Sequence, residues 1–319
     1  MIMNARGTHH RIAAPALLRL IAAVALTVGL GMGSARAADE QGQRTFTTPE
    51  EAAEALIAGL PNDEAMLAIF GRKHEAELFG ADRVTSRERR KETAAEAQSM
   101  HSLRKDGEAR RILIIGAEAW PVPFPIVKDG KRWRFDTEAG LEEIIDRRIG
   151  KNELHAIEIA EAYLAAQQEY GRRDRDGDDV LEYAQRFGSS PGKKDGLYWE
   201  VAPGSGEEES PFGPLLAEAH GYLKNYAPGE PFEGYFFRIL SRQGEHAPGG
   251  RDDYVRNGNM IAGFALVAYP GEYDDTGIMT FIVNQQGKVY QRDLGEFTEG
   301  YGEALEVYDP DDTWVEVQN

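Results

Sequence analysis

Asp174, Asp176 and Asp178 stand at alternate positions, and Glu182 follows them. Oxygen ligands at i, i+2 and i+4 of a turning loop can converge on Ca²⁺. Aligned as an EF-hand loop, the three aspartates take positions one, three and five, and Val180 offers its carbonyl. Two departures weigh against this. The position of the sharp-turn glycine is Asp179, and position twelve is Gln185 where a bidentate glutamate belongs. Ca²⁺ is the one cofactor these residues suggest, and a solvated acidic loop is the competing reading. A second group, Arg147, Arg148, Asn152 and Glu153, suits a structural role. Asn152 can cap a helix, and the arginines can bridge to acids on another lobe. Anion binding is the alternative use of the two guanidinium groups.

Other arrangements carry less. Gly188-Ser189-Ser190-Pro191-Gly192 has the form G-x-S-x-G. The residue after a serine nucleophile must donate an N–H to the oxyanion hole, and Pro191 has none. The histidines beyond residue 37 are His74, His101, His155, His220 and His246, and none pair at metal-ligand spacing. His155 sits beside an apolar helix face, and His246 sits in a Gly/Pro-rich loop. Trp120, Trp133, Tyr198, Trp199, Tyr235, Phe236 and Phe237 suit a core, with a ligand groove as the other use. There is no phosphate loop and no dinucleotide fingerprint.

These residues need elements to position them. Thr48-Pro49-Glu50-Glu51 reads as a helix start: Thr48 can cap, Pro49 fits the first helical position, and Glu51 suits a capping box. A second helix is predicted over Asp63 to Phe70, and a third, highly charged one from Ser86 to about Met100. Arg111 to Ile115 is β-like. Trp120 to Val127 holds Pro121, Pro123 and Pro125, so it is an edge segment at best. Asp129-Gly130 signals a hairpin into Trp133-Arg134-Phe135. Asp136 or Thr137 caps a helix whose apolar face is Leu141, Ile144, Ile145 and Ile149. Gly150 interrupts the period, and a further helix is predicted from Asn152 to Tyr170, with one kinked helix bridging both lobes as the alternative. Turn-rich sequence follows, then strand-like runs at Gly234–Leu240, Met260–Ala268, Ile278–Asn284 and Lys288–Arg292. The expected class is α+β. The expected organisation is residues 1–37 as signal peptide, 38–45 as a disordered terminus, 46–150 as an N-terminal α+β lobe, and 151–319 as a lobe with one long helix packed on an antiparallel meander.

The start of the chain bears on location. Arg6, Arg11 and Arg19 flank an apolar run from Leu20 to Leu30, and Ala35-Arg36-Ala37 follows. That is the pattern of a secretory signal peptide, cut between Ala37 and Ala38. The run is short for a membrane span, which needs about 20 residues. The full chain carries 36 basic and 54 acidic residues, a net charge of −18. The four arginines of residues 1–37 are unmatched by acids there, so cleavage leaves 32 basic against 54 acidic residues, a net charge of −22. Such a surface repels nucleic acid and anionic lipid. The absence of cysteine excludes disulfides, thiol catalysis and a lipoprotein anchor.

Several motifs together resemble a family of exported bacterial proteins, domain of unknown function 2950. They are Trp120-Pro121-Val122-Pro123-Phe124-Pro125, Trp133-Arg134-Phe135-Asp136, Arg147 to Leu154, Asp174-Arg175-Asp176-Gly177-Asp178, Gly234-Tyr235-Phe236-Phe237-Arg238 and Met279 to Asn284. The resemblance spans about Phe46 to Trp314 and implies an envelope location without an activity. The second half also resembles, more weakly, the globular heads of pilins and pseudopilins, a likeness of fold and not of filament. The sequence therefore predicts an exported protein, periplasmic or secreted, that binds or scaffolds in the cell envelope. A periplasmic hydrolase using a carboxylate pair is the alternative. The expected partner is an envelope protein or a small ligand, with no nucleic acid and no membrane insertion after cleavage.

Overall fold

A computed structural model describes residues 42–80, 83–175, 177–202, 204–213 and 230–318. The expected signal segment and its cleavage point lie outside the described residues, as does Asp176. The protein is α+β, with antiparallel sheets and helices segregated along the chain.

Helix α1 (Pro49–Gly59) begins as its sequence dictates. Thr48 is extended, and its hydroxyl accepts from the Glu51 N–H at 3.1 Å. Glu51 reaches back to the Thr47 N–H at 2.8 Å, one residue before the usual partner in a capping box. Asn62 caps α2 (Asp63–Phe70) through the Ala65 N–H. A short α3 (Glu75–Phe79) precedes the charged helix α4 (Arg83–Ser99). Gln43 and Arg44, expected within a disordered terminus, are tied into this half. The Gln43 amide donates to the Ile69 and Phe135 carbonyls, and the Arg44 N–H donates to the Ala68 carbonyl.

The first sheet holds β1 (His101–Lys105), β2 (Arg110–Ile115), β3 (Trp120–Pro121), β4 (Ile126–Asp129) and β5 (Arg132–Phe135). Its order is β1-β2-β4-β5, with β3 pairing β2. Strand β1 was not legible because it is an edge strand with a single apolar residue, Leu103. The proline-rich stretch supplies only the two residues of β3, as missing N–H groups require. The β4–β5 hairpin turns at Asp129-Gly130, where Gly130 takes φ +58°.

The expected break at Gly150 does not occur. Helix α5 runs unbroken from Thr137 to Tyr170, 34 residues, with Asp136 as its cap. A glycine costs about 1 kcal/mol in a helix interior. Here the flanking side chains are tied on both sides of it, as described below, and those ties hold the helix through the glycine. Asn152 is accordingly an interior residue and not a cap.

The second sheet is a meander in the order β14-β13-β12-β11-β6. Its strands are β6 (Tyr235–Leu240), β11 (Ala265–Pro270), β12 (Met279–Asn284), β13 (Val289–Asp293) and β14 (Val315–Glu316). Between β6 and β11 lie two small pairs, β7 (Arg242–Gln243) with β8 (Asp252–Asp253) and β9 (Val255–Arg256) with β10 (Asn259–Met260). The run expected over Met260–Ala268 is thus split between β10 and β11. Every residue of β11 is buried, as expected of a strand covered on both faces. A helix α6 (Thr298–Ala304) packs near β11.

Two clusters of buried apolar residues result. One gathers α1, α2, the Phe79 side chain and the first sheet, from Phe46 to Phe135. The other gathers the C-terminal part of α5 from Ala156, the turn-rich segment and the second sheet. Helix α5 is the element that reaches both. Among the described residues, no helix is long and apolar enough to cross a membrane.

Candidate functional site

The acidic loop turns its carboxylates on itself. Asp174 accepts from the Gly177 N–H at 2.7 Å and the Asp179 N–H at 2.9 Å. Asp178 accepts from the Val180 N–H at 2.8 Å and from the Asn259 amide at 2.6 Å. Glu182 accepts from the Met260 N–H at 3.1 Å. Asp179 takes φ +63°, the left-handed turn that a glycine usually supplies at this place. Among the described residues, no three His, Asp or Glu side chains gather as a metal-binding group.

Sequence reasoning missed the residue that anchors this loop. The Arg175 side chain is only 3% exposed, and its guanidinium donates to the Tyr170 carbonyl at the end of α5 and to Glu208 at 3.1 Å. It lies over the Tyr170 ring at 4.7 Å and the Trp199 ring at 5.8 Å. Arg173 and Lys194 pair with the same Glu208. Amid so many aspartates, nothing in the local pattern marks an arginine as the buried member.

The group on α5 divides between the two halves. Arg147 pairs with Glu143, donates to the Pro121 carbonyl at 2.8 Å and lies over Trp120, all N-terminal to the group. Arg148 pairs with Asp275, and Asn152 donates to the Thr276 carbonyl at 2.9 Å. Glu153 accepts from the N–H groups of Ile278 and Met279 at 3.0 and 2.9 Å. Residues 147 and 148 are about 100° apart around a helix. Adjacent arginines therefore serve different halves, Arg148 through the turn between β11 and β12.

Most of the remaining sequence candidates make structural contacts, while Tyr198 and Trp199 line a concavity of ≈ 630 Å³ in the C-terminal half. Ser190 donates to Asp195 at 2.8 Å and accepts from Arg186, so its hydroxyl staples a loop. His155 approaches Glu233 at 3.4 Å. The exposed His246 is hydrogen-bonded to Asp309 at 3.1 Å, which raises its pKa above the usual histidine value. Tyr235 is core, and Trp133 is buried under Arg111.

The feature that residue spacing did not announce is a cavity of ≈ 510 Å³ in the N-terminal half. Its floor is apolar: Leu56, Ile57 and Leu60 of α1, Met66 and Phe70 of α2, Leu113 and Ile115 of β2, then Val122 and Phe124. Phe70 and Phe124 stack with centroids 4.4 Å apart. Phe124 can sit there because Gly140 of α5 has no side chain, and a Cβ would collide with its ring. Trp120 and Ile144, respectively 46% and 41% exposed, line the open side. Helix α4 contributes a polar wall of Thr85, Ser86, Arg89, Arg90 and Thr93.

That wall is held by charge. Asp63 at the start of α2 pairs with Arg87 and Arg90, each at 2.5 Å. The hydrogen bond from Arg87, then that from Arg90, hold the Asp63 carboxyl down at about 2. Arg90 is 11% exposed, and its guanidinium lies over the Phe79 ring at 4.6 Å. An apolar concavity with a few placed polar groups is the usual form of a small-molecule site.

Residues 43–317 match the model of a family described as a protein of unknown function, DUF2950. The chain belongs to this family. No curated protein and no solved structure matches it. The DUF2950 match covers both halves and ends short of the expected signal segment, so cavity, α5 and meander all lie within the family's span.

Proposed function

We propose that this DUF2950 chain is a non-enzymatic binding protein of the bacterial cell envelope, and that its N-terminal half holds an apolar small ligand. The observation that carries this reading is the ≈ 510 Å³ cavity, apolar on its floor and polar on the α4 wall. Its size falls within the range of small-molecule pockets, about 300–1,000 Å³. In this reading the chain is exported by the segment 1–37, and the C-terminal sheet scaffolds the binding half through α5.

Asp63 and Glu138 suit binding better than hydrolysis. A hydrolase with a carboxylate pair needs one acid with a raised pKa. Asp63 and Glu138 are held below the ordinary carboxylate value by hydrogen bonds from Arg87 and Lys73, which does not suit either to that role.

Nile red, a neutral dye whose fluorescence rises in apolar surroundings, tests the reading. One dye should bind per chain, and Thr93→Phe, which puts a ring into the cavity from α4, should abolish it. Failure of wild type to bind, or equal binding by Thr93→Phe, overturns the cavity as the site. Protein from a periplasmic fraction should begin at Ala38, and intact precursor in the inner membrane would overturn export.

A further inference from the structure

We propose that the cavity's ligand is an aliphatic chain ending in a carboxylate, and that Arg90 receives the head group. This rests on the reading of the cavity as a binding site and names what fills it. The key observation is a donor without an acceptor. Arg90 donates through Nη2 to Asp63 and through Nε to the Ser86 carbonyl at 3.3 Å. Its Nη1 is buried and has no hydrogen-bond partner among the described residues. A buried N–H of a charged group left unpaired is costly, so an acceptor brought by a ligand recovers that loss.

Charge on this wall points the same way. One carboxylate, Asp63, serves two guanidinium groups, Arg87 and Arg90. Arg89 lines the same cavity, is exposed, and makes no ion pair among the described residues. Helix α4 carries Arg83, Arg87, Arg89, Arg90 and Lys91 against Glu88, Glu92 and Glu96. A net positive helix therefore borders an apolar cavity on a chain of net charge −18. Anions meet few such places on this surface.

The head group is a carboxylate and not a phosphate. The wall offers one fixed guanidinium with a single unpaired nitrogen, its centre 4.6 Å from the Phe79 ring. A carboxylate, with two oxygens and one charge, matches that. A phosphate needs more donors, and Glu77 on the same lining would repel its second charge.

Calorimetric titration of the purified protein decides this, with dodecanoate, dodecan-1-ol and dodecyltrimethylammonium below their micelle concentrations. Dodecanoate should bind one per chain, and the cationic analogue should not bind. Arg90→Met should weaken dodecanoate tenfold or more and dodecanol less than threefold. Arg90→Lys, which keeps the charge beside Asp63 and loses the fork, should weaken dodecanoate several-fold. It serves as the test if Arg90→Met does not fold. Thr93→Phe should abolish both. Dodecanoate binding unchanged in the Arg90 variants, or matched by the cation, overturns the carboxylate assignment, while dodecanol binding would leave the cavity reading standing. Binding of neither dodecanoate nor dodecanol overturns both. Self-association that Thr93→Phe disrupts would make the groove an interface between copies and overturn the proposal.

Discussion

Helix α4 closes the N-terminal half while burying only Ala94 and Ala97. Helix α5 lays Ala156, Ile159, Ala160, Tyr163, Ala166 and Tyr170 into the C-terminal core. In that core the aromatic rings form a chain: Tyr163 meets Phe187 and Phe264, Tyr183 meets Phe264, and Phe187 meets Phe212. Gln167 of α5 is paired within that core, donating to the Ala184 carbonyl and the Tyr163 hydroxyl. The N-terminal half instead sets charged side chains against its apolar floor. A wall held by ion pairs does not interdigitate with the floor below it, and space remains. The comparison teaches that the two halves place their open space differently. One has a core packed by apolar contact, with concavities of ≈ 630 and ≈ 590 Å³ lined by its loops and a small strand pair. The other is closed by Asp63 with Arg87 and Arg90, and keeps a cavity.

The largest expected effect breaks the packed half. Tyr163→Ala should cost about 3–5 kcal/mol, because it removes a fully buried ring. Leu113→Ala, beside an existing cavity, should cost less, about 2 kcal/mol. Denaturant midpoints compare the two, and equal losses would remove the distinction between the halves.

The wall comes next. Asp63→Asn should destabilise by about 1–3 kcal/mol by leaving the Arg90 guanidinium short of its counter-charge. The pH profile identifies the cause. The folded pKa of Asp63 is lowered, so its contribution is complete above the unfolded value of about 3.9 and is lost as pH falls. The window runs down to the folded value of about 2. Stability of wild type should therefore fall across that window more steeply than stability of Asp63→Asn. Parallel profiles would assign the wall to something other than this pair.

The junction sharpens the comparison further. Glu153→Ala should cost about 1–2 kcal/mol, since two N–H groups of the second sheet lose their acceptor. Arg148→Ala should cost no more than about 1 kcal/mol, because its pair with Asp275 is half exposed. A larger loss for Arg148 would make the ion pair the main tie between α5 and the second sheet.

The smallest effect concerns the acidic loop. Asp174→Ala should cost about 1 kcal/mol in chelator alone, through the hydrogen bonds to Gly177 and Asp179. Melting of wild type with millimolar calcium against chelator reads the metal separately. A gain of about 1.4 kcal/mol at tenfold Kd, absent in Asp174→Ala, would assign Ca²⁺ to the loop. Identical melting in both media would leave it a hydrogen-bonded turn.

Much of the local structure was written in the sequence, because local signals act over a few residues. Thr48 and Asp136 mark their helices, Asp129-Gly130 marks its hairpin, and β6, β12 and β13 of the second sheet follow their apolar runs. Where the sequence misled, a distant contact outweighed a local one. Gly150 weakens a helix, yet the helix runs unbroken between the tie of Arg147 to Pro121 on one side and that of Glu153 to Met279 on the other. Arg175 looked like one charge in a solvated run, and only the approach of Tyr170, Trp199 and Glu208 buries it. The cavity was the least legible feature. Its floor residues read individually as ordinary core, and its α4 wall read only as a highly charged helix. A void depends on how surfaces from α1, α2, α4, α5 and the first sheet fail to meet. No single segment encodes that geometry, so the sequence by itself determined the elements and the tertiary structure alone decided the space between them.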